Sequence, residues 1–243
     1  MKQLLFSILF LLFGLHGVGQ QNVKQEFLTL LTSKSTSTIK EKAEILEKSY
    51  SKVEMAYYRL LIKNLPKQSY LITNSQDDTY PLHILQIVHN IRPDIKIIGL
   101  KLLNNQAYLD HVNQTYRLKL KANNSSKNIG IISTNSKNTF ISSTVSSKYL
   151  FRSNYYLIGL AVQPSKVISN NQLLKFYIQL KQSNIQQLKW SKTDVKLLSN
   201  LLPPLITLYL TDKSKVDLKN DIMVLAKALK VESKVKIILN NSG

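Results

Sequence analysis

Residues 69–100 read SYLITNSQDDTYPLHILQIVHNIRPDIKIIGL, and the changes of period inside this stretch set the fold class. Ser69 to Thr73 is a short apolar run of strand length. Asn74 to Thr79 is polar and reads as a loop. Pro81 to Ile91 has helical spacing, with Pro81 able to open the first turn because the missing N–H is not needed there. Arg92-Pro93-Asp94 turns the chain, and Ile95 to Leu100 is a second apolar strand. Strand, helix and strand in about 35 residues make a βαβ unit, which implies parallel strands joined by a right-handed crossover.

Outward from this unit, Ile39, Ala43, Leu46, Tyr50, Val53, Tyr57, Leu60 and Leu61 recur every three or four residues, predicting one amphipathic helix from Thr38 to Leu65. Asn104 to Val112 reads as a further short helix. Four runs with strand character follow, Tyr116–Lys121, Ile129–Ser133, Phe140–Val145 and Tyr155–Val162, separated by Asn/Ser turns. After Pro164 the pattern is helical at Leu173–Leu188, Asp194–Leu210 and Leu218–Leu229, with Pro203-Pro204 interrupting the second. The expected fold is α/β: a small, mostly parallel, Rossmann-like sheet over 67–168, N-terminal helices over 22–66 and a helical C-terminal part over 169–243.

Residues 1 to about 21 have the form of a cleavable signal peptide. Lys2 gives the positive start, Leu4 to Leu15 a nearly unbroken apolar run, and Gly17-Val18-Gly19 the small residues before cleavage. The run falls short of the roughly 20 apolar residues of a membrane span, although an uncleaved N-terminal anchor is the alternative. Export to the periplasm or outer cell surface is therefore expected. A mature chain of about 220 residues can bury a core unaided, in keeping with its lack of cysteine. That lack also removes disulfides, thiolate metal sites and a Cys nucleophile.

Lys and Arg number 33 against 14 Asp and Glu, a net charge of +19. For an exported chain the matching polyanions are lipid head groups, lipopolysaccharide or acidic glycan rather than nucleic acid. Only four of the basic residues are arginine, and no tight basic cluster stands out along the chain, so a solvated lysine-rich surface is the plainer reading.

Ligands of open parallel sheets bind beyond the carboxyl ends of the strands, which directs attention to Asn74, Gln76, Asp77, Asp78, Thr79 and Tyr80, with His83 one helical turn further on. Two adjacent carboxylates before a helix could hold a divalent cation or orient a sugar hydroxyl; alternatively, Asp78 or Thr79 caps the helix. The sequence contains no Gly-rich phosphate loop, no G-x-S-x-G and no H-E-x-x-H. No metal or cofactor is expected from its motifs.

The stretch Tyr70–Asp110 resembles a segment of bacterial protein O-mannosyltransferase-like membrane glycosyltransferases, glycosyltransferase family 117, where it lies in the soluble part after the membrane helices. The likeness rests on Thr73-Asn74, on Asp78-Thr79-Tyr80-Pro81-Leu82, Leu85 and Gln86, on Arg92-Pro93-Asp94, and on Leu102-Leu103-Asn104 and Tyr108. A second block runs from Phe140–Val145 to Tyr155–Ala161 and ends in the G-L-A motif of Gly159-Leu160-Ala161. Ser75, Gln76, Asp77, His83 and Ala107 depart from the family pattern, and the multi-pass region that would carry glycosyl transfer has no counterpart here. The resemblance implies a non-catalytic binding or scaffolding module of the cell envelope, with an envelope protein or glycan as partner, and an anionic membrane surface as a further possible partner. Asn74–Tyr80, His83 and Arg92 are its candidate contact residues, and an enzyme using Asp77 and Asp78 with His83 is the alternative.

Overall fold

The computed structural model describes residues 21–33, 36–150, 155–164, 170–212 and 216–241. Positions 1–20 of the expected signal segment lie outside them. Among the described residues no helix is long and apolar enough to cross a membrane.

The expected α/β class is observed. Five strands form one mixed sheet in the order β2-β1-β3-β5-β4: β1 (Tyr70–Thr73), β2 (Lys96–Gly99), β3 (Thr139–Ser142), β4 (Tyr155–Ile158) and β5 (Ala161–Pro164). β1 is parallel to both β2 and β3, while β5 runs antiparallel to β3 and to β4. Every residue of β1 and β3 is buried, which is why they read as continuous apolar runs rather than alternating ones.

Helix α1 (21–32) and α2 (Thr36–Glu47) precede α3 (Lys52–Lys63), and α4 (Gln76–Ile87) joins β1 to β2. α4 packs along β2 and against α2 and α3. α5 (Gln106–Tyr116) and α6 (Ser125–Asn135) lead to β3. The C-terminal part is α7 (Asn170–Gln182), α8 (Lys192–Leu198), α9 (Leu202–Thr211), α10 (Val216–Ala228) and α11 (Glu232–Asn241), with α7, α9, α10 and α11 packed in series.

Several local expectations are corrected. The single helix over Thr38–Leu65 is two helices, because Ser51 starts α3 afresh: its Oγ accepts from Glu54 N at 3.0 Å and its own N–H donates to Glu54 Oε2 at 2.7 Å, a complete capping box. The Ser51 hydroxyl also donates to Asp194 Oδ1, at the start of α8. Ile129–Ser133 is helical within α6, which buries Ile129 and Ile132 on one face. The expected strand Tyr116–Lys121 is absent: Tyr116 ends α5, and over 118–121 asparagine side chains replace the ladder, Asn113 bonding Leu120 N and O and Asn128 bonding Lys121 N and O. Tyr155–Val162 is a hairpin folded at Gly159-Leu160, where Gly159 takes φ +58°. Glycine at the first position of a two-residue connection suits the twist of the strands it joins.

Candidate functional site

Because β1 lies between β2 and β3, the crossovers leave it in opposite directions, and the crevice beyond the carboxyl ends of β1 and β3 is the place where such a sheet receives ligands. Asn74 and Ser75 follow β1 there, and Ser143 and Thr144 follow β3. The crevice is bridged by Asp78, which is only 4% exposed. Its Oδ2 accepts from Asn74 N at 2.8 Å and from the Thr144 hydroxyl, and its Oδ1 accepts from Ser75 N at 2.6 Å.

The hydroxyls behind it form two short chains, whose directions follow from proton count. The Thr144 proton goes to Asp78, so the Ser142 hydroxyl donates to Thr144 across 2.8 Å. Likewise Ser143 donates to Leu160 O at 2.9 Å, leaving Tyr57 to donate to Ser143 at 3.2 Å. Burial pushes the Asp78 carboxyl above its ordinary value, against the opposing pull of its Thr144, Asn74 and Ser75 donors. Burial also raises the Tyr57 phenol to about 12 and raises Tyr50 and Tyr58 further.

Residues 74–80 are therefore not a free loop. α4 begins at Gln76, five residues before Pro81, because the Asp78 carboxylate reaches back to Ser75 N and supplies an acceptor that the first turn needs. Pro81 sits inside the helix. Thr79 is buried, donating to Ser75 O and lying 2.6 Å from Thr73 Oγ1. Tyr80 packs edge-on against Phe27 of α1, with ring centroids 5.2 Å apart. Gln76 and Asp77 face outward; the Asp77 side chain is 70% exposed and pairs with Lys24 at 2.9 Å.

Arg92 stands apart from the crevice. Its guanidinium donates to Leu65 O, Pro66 O and both oxygens of Asp94, tying the end of α3 to the turn before β2 and holding the Asp94 carboxyl well below the usual carboxylate range. Asn74, Asp78 and Thr79 are thus brought together as a fastening of the β1–α4 junction, whereas Gln76, Asp77, His83 and Arg92 are directed elsewhere. Among the described residues, no three His, Cys, Asp or Glu side chains are placed to hold a metal ion.

His83 is half-buried as a residue, but its Nε2 is closed from solvent and has no partner. Burial lowers its imidazole to about 4. The unfolded chain, titrating near 6.5, then binds more protons below that pH than the folded one. Stability is full above about pH 6.5 and falls as the pH drops toward 4. In urea unfolding the wild type should lose about 2 kcal/mol relative to His83→Gln across that window; a constant difference between the two would refute this placement.

The sequence reading missed a groove of about 580 Å³ between α3 and α7. Lys52, Arg59 and Lys63 line it together with Met55, Leu60 and Gln179. Spacings of seven and four place the three cations on one stripe of α3, a signal present in the sequence but readable only once the helix is known to start at Lys52. A second depression, of about 590 Å³, lies at the start of α6 between Lys101, Lys127 and Tyr149. The C-terminal helices expose Val216, Val224 and Ile237.

No curated protein and no solved structure shows a significant similarity to the chain. A family model described as TMEM260-associated domain 2 matches residues 53–243, from the first turn of α3 to the C-terminus. The matched segment takes in the whole sheet, the Asp78 fastening and the α3–α7 groove apart from Lys52, and the chain belongs to the TMEM260-associated domain 2 family.

Proposed function

We propose that this chain is an exported, non-catalytic binding or scaffolding module of the bacterial cell envelope. The observation that carries the reading is the use made of the switch-point crevice. Where an α/β sheet would admit a substrate, Asp78 spends its acceptor positions on Asn74, Ser75 and Thr144 of its own chain. The resemblance to the soluble part of glycosyltransferase family 117 supports the same reading. Its Thr-Asn, Asp-Thr-Tyr-Pro and Arg-Pro-Asp elements fall on residues that fasten elements together, and the exposed Val216, Val224 and Ile237 offer apolar surface on the C-terminal helices instead.

A glycan-active or metal-dependent enzyme is the second reading, motivated by the adjacent carboxylates. It requires Asp77, Asp78 and His83 to converge on one ligand atom, while Asp77 pairs with Lys24 and Asp78 with backbone N–H groups. The test is crosslinking in whole cells followed by purification from the envelope fraction. One envelope component recovered in near-stoichiometric yield, equally by wild type, Asp77→Ala and His83→Gln, is the expected result. Turnover of envelope glycan by the pure protein, lost in Asp77→Ala or His83→Gln, would establish the enzyme reading in its place.

A further inference from the structure

The α3–α7 groove combines features that the fold itself does not use. Lys52, Arg59 and Lys63 share one stripe of α3, and among the described residues their side chains form no ion pair or hydrogen bond. Among the described residues, no acidic side chain lines the groove. Arg59 is half-buried at its centre, with Lys52 and Lys63 exposed toward its ends. Three unneutralised cations on one helix face repel one another, so an anion seated among them is favoured by charge complementarity. From Lys52 to Lys63 the helix advances about 16 Å, which a single small anion cannot span. The match is a ligand carrying several anionic groups along its length.

Gln179 contributes the second requirement. It lines the groove from α7, and its Oε1 is buried without any partner. An acceptor shut from water and unpaired is a cost carried by the free protein. The terminal amide torsion of glutamine is broad, so a small rotation turns this group toward a donor in the groove. Met55 and Leu60 supply an apolar floor, and the volume lies within the range of about 300–1,000 Å³ typical of small-ligand sites.

We infer that this groove binds an acidic oligosaccharide, its carboxylates or phosphates meeting Lys52, Arg59 and Lys63 and its hydroxyls satisfying Gln179. The assignment rests on the binding-module reading and gives it a ligand class. A recessed cleft with a hydrogen-bond acceptor to satisfy favours a polyhydroxylated chain over a lipid surface, whose head groups would need a flatter face.

The experiment is calorimetric titration of the full mature chain with trigalacturonate, with cellotriose as the neutral counterpart of the same ring count. A triglutamate peptide and phosphatidylglycerol vesicles form the other arms. Trigalacturonate should bind, cellotriose more weakly by about tenfold or more, and added salt should weaken the acidic ligand's binding. Arg59→Gln and Lys63→Gln should each weaken trigalacturonate by about tenfold, and Gln179→Leu should do so for both saccharides. Lys219→Gln, which removes the same charge from an exposed position on α10, should leave binding unchanged. Thermal unfolding of each variant separates lost contacts from lost fold, and Lys63→Gln, at an exposed position, is the variant least able to disturb folding. The proposal is overturned by no binding of trigalacturonate, by equal weakening in Lys219→Gln, or by preference for the peptide or the vesicles. If trigalacturonate fails while an envelope component is still crosslinked, the groove assignment falls and the module reading stands; if neither is seen, both fall.

Discussion

Asp78→Ala should destabilise the protein by about 3 kcal/mol, the largest effect expected at any polar residue of the crevice. Two losses combine. Removing the reach-back acceptor of Ser75 N–H at the α4 start costs about 1 kcal/mol, and the Asn74 N–H and Thr144 hydroxyl are left with unmade bonds at about 1–3 kcal/mol in total. Asp78→Asn retains one acceptor but turns an NH₂ toward a donor, and should cost about 2 kcal/mol.

The pH dependence has a definite sign. Because burial holds the folded-state pKa of Asp78 above its unfolded value, the folded chain keeps its proton longer than the unfolded one. The stability this group contributes is fully present below the unfolded value near 4 and declines as the pH rises through the folded value. The penalty of Asp78→Asn should therefore be greater at pH 4 than at pH 7. This runs opposite to the His83 trend, so the quantity to measure is the difference between variant and wild type in urea unfolding at each pH. A penalty below about 0.5 kcal/mol at both pH values would show that the carboxylate does not fasten the crevice.

Gly159→Ala should also cost about 3 kcal/mol, here without touching any charged group. The residue has φ +58°, and a Cβ built there lies 2.7 Å from Cδ2 of Phe176, a fully buried side chain of α7. The left-handed backbone contributes about 1–2 kcal/mol and the forced contact about 1–3 kcal/mol. The two parts can be separated. In a Phe176→Leu background the contact is relieved and the backbone strain remains, so the same Gly159→Ala change should cost only about 1–2 kcal/mol. Full additivity of the two substitutions would contradict the packing of α7 on the β4–β5 turn. The G-L-A motif thus has a packing reason: Gly159 makes the turn, while Leu160 and Ala161 are fully buried behind it.

The β1–α4–β2 unit was legible because each of its transitions is written locally. Strand runs, helical spacing and the Arg92-Pro93-Asp94 turn all lie within a few residues of the structure they specify. The break between α2 and α3 was also present, as Ser51-Lys52-Val53-Glu54, but the apolar spacing continues through it and conceals the cap. The segments 118–121 and 129–133 misled for a different reason. Apolar runs of that length suit a strand or a buried helix equally, and the choice was made by Asn113 and Asn128, whose partners lie seven residues away.

At the crevice, the sequence showed two adjacent carboxylates but not their opposite fates. Neighbours on a helix point about 100° apart, so once α4 begins at Gln76, Asp78 turns into the sheet and Asp77 turns out to Lys24. Thr144, the donor that completes the Asp78 fastening, is 66 residues away and carries no local mark of its role.

By itself the sequence determined the α/β class, the βαβ unit and the helical C-terminal part, because periodicity and turn chemistry act between near neighbours. Only the tertiary structure decided that Asp78 closes the switch-point crevice and that Lys52, Arg59 and Lys63 face Gln179 across a groove. Both depend on which distant segment packs against a given helix face, and that is settled by burying the whole core at once.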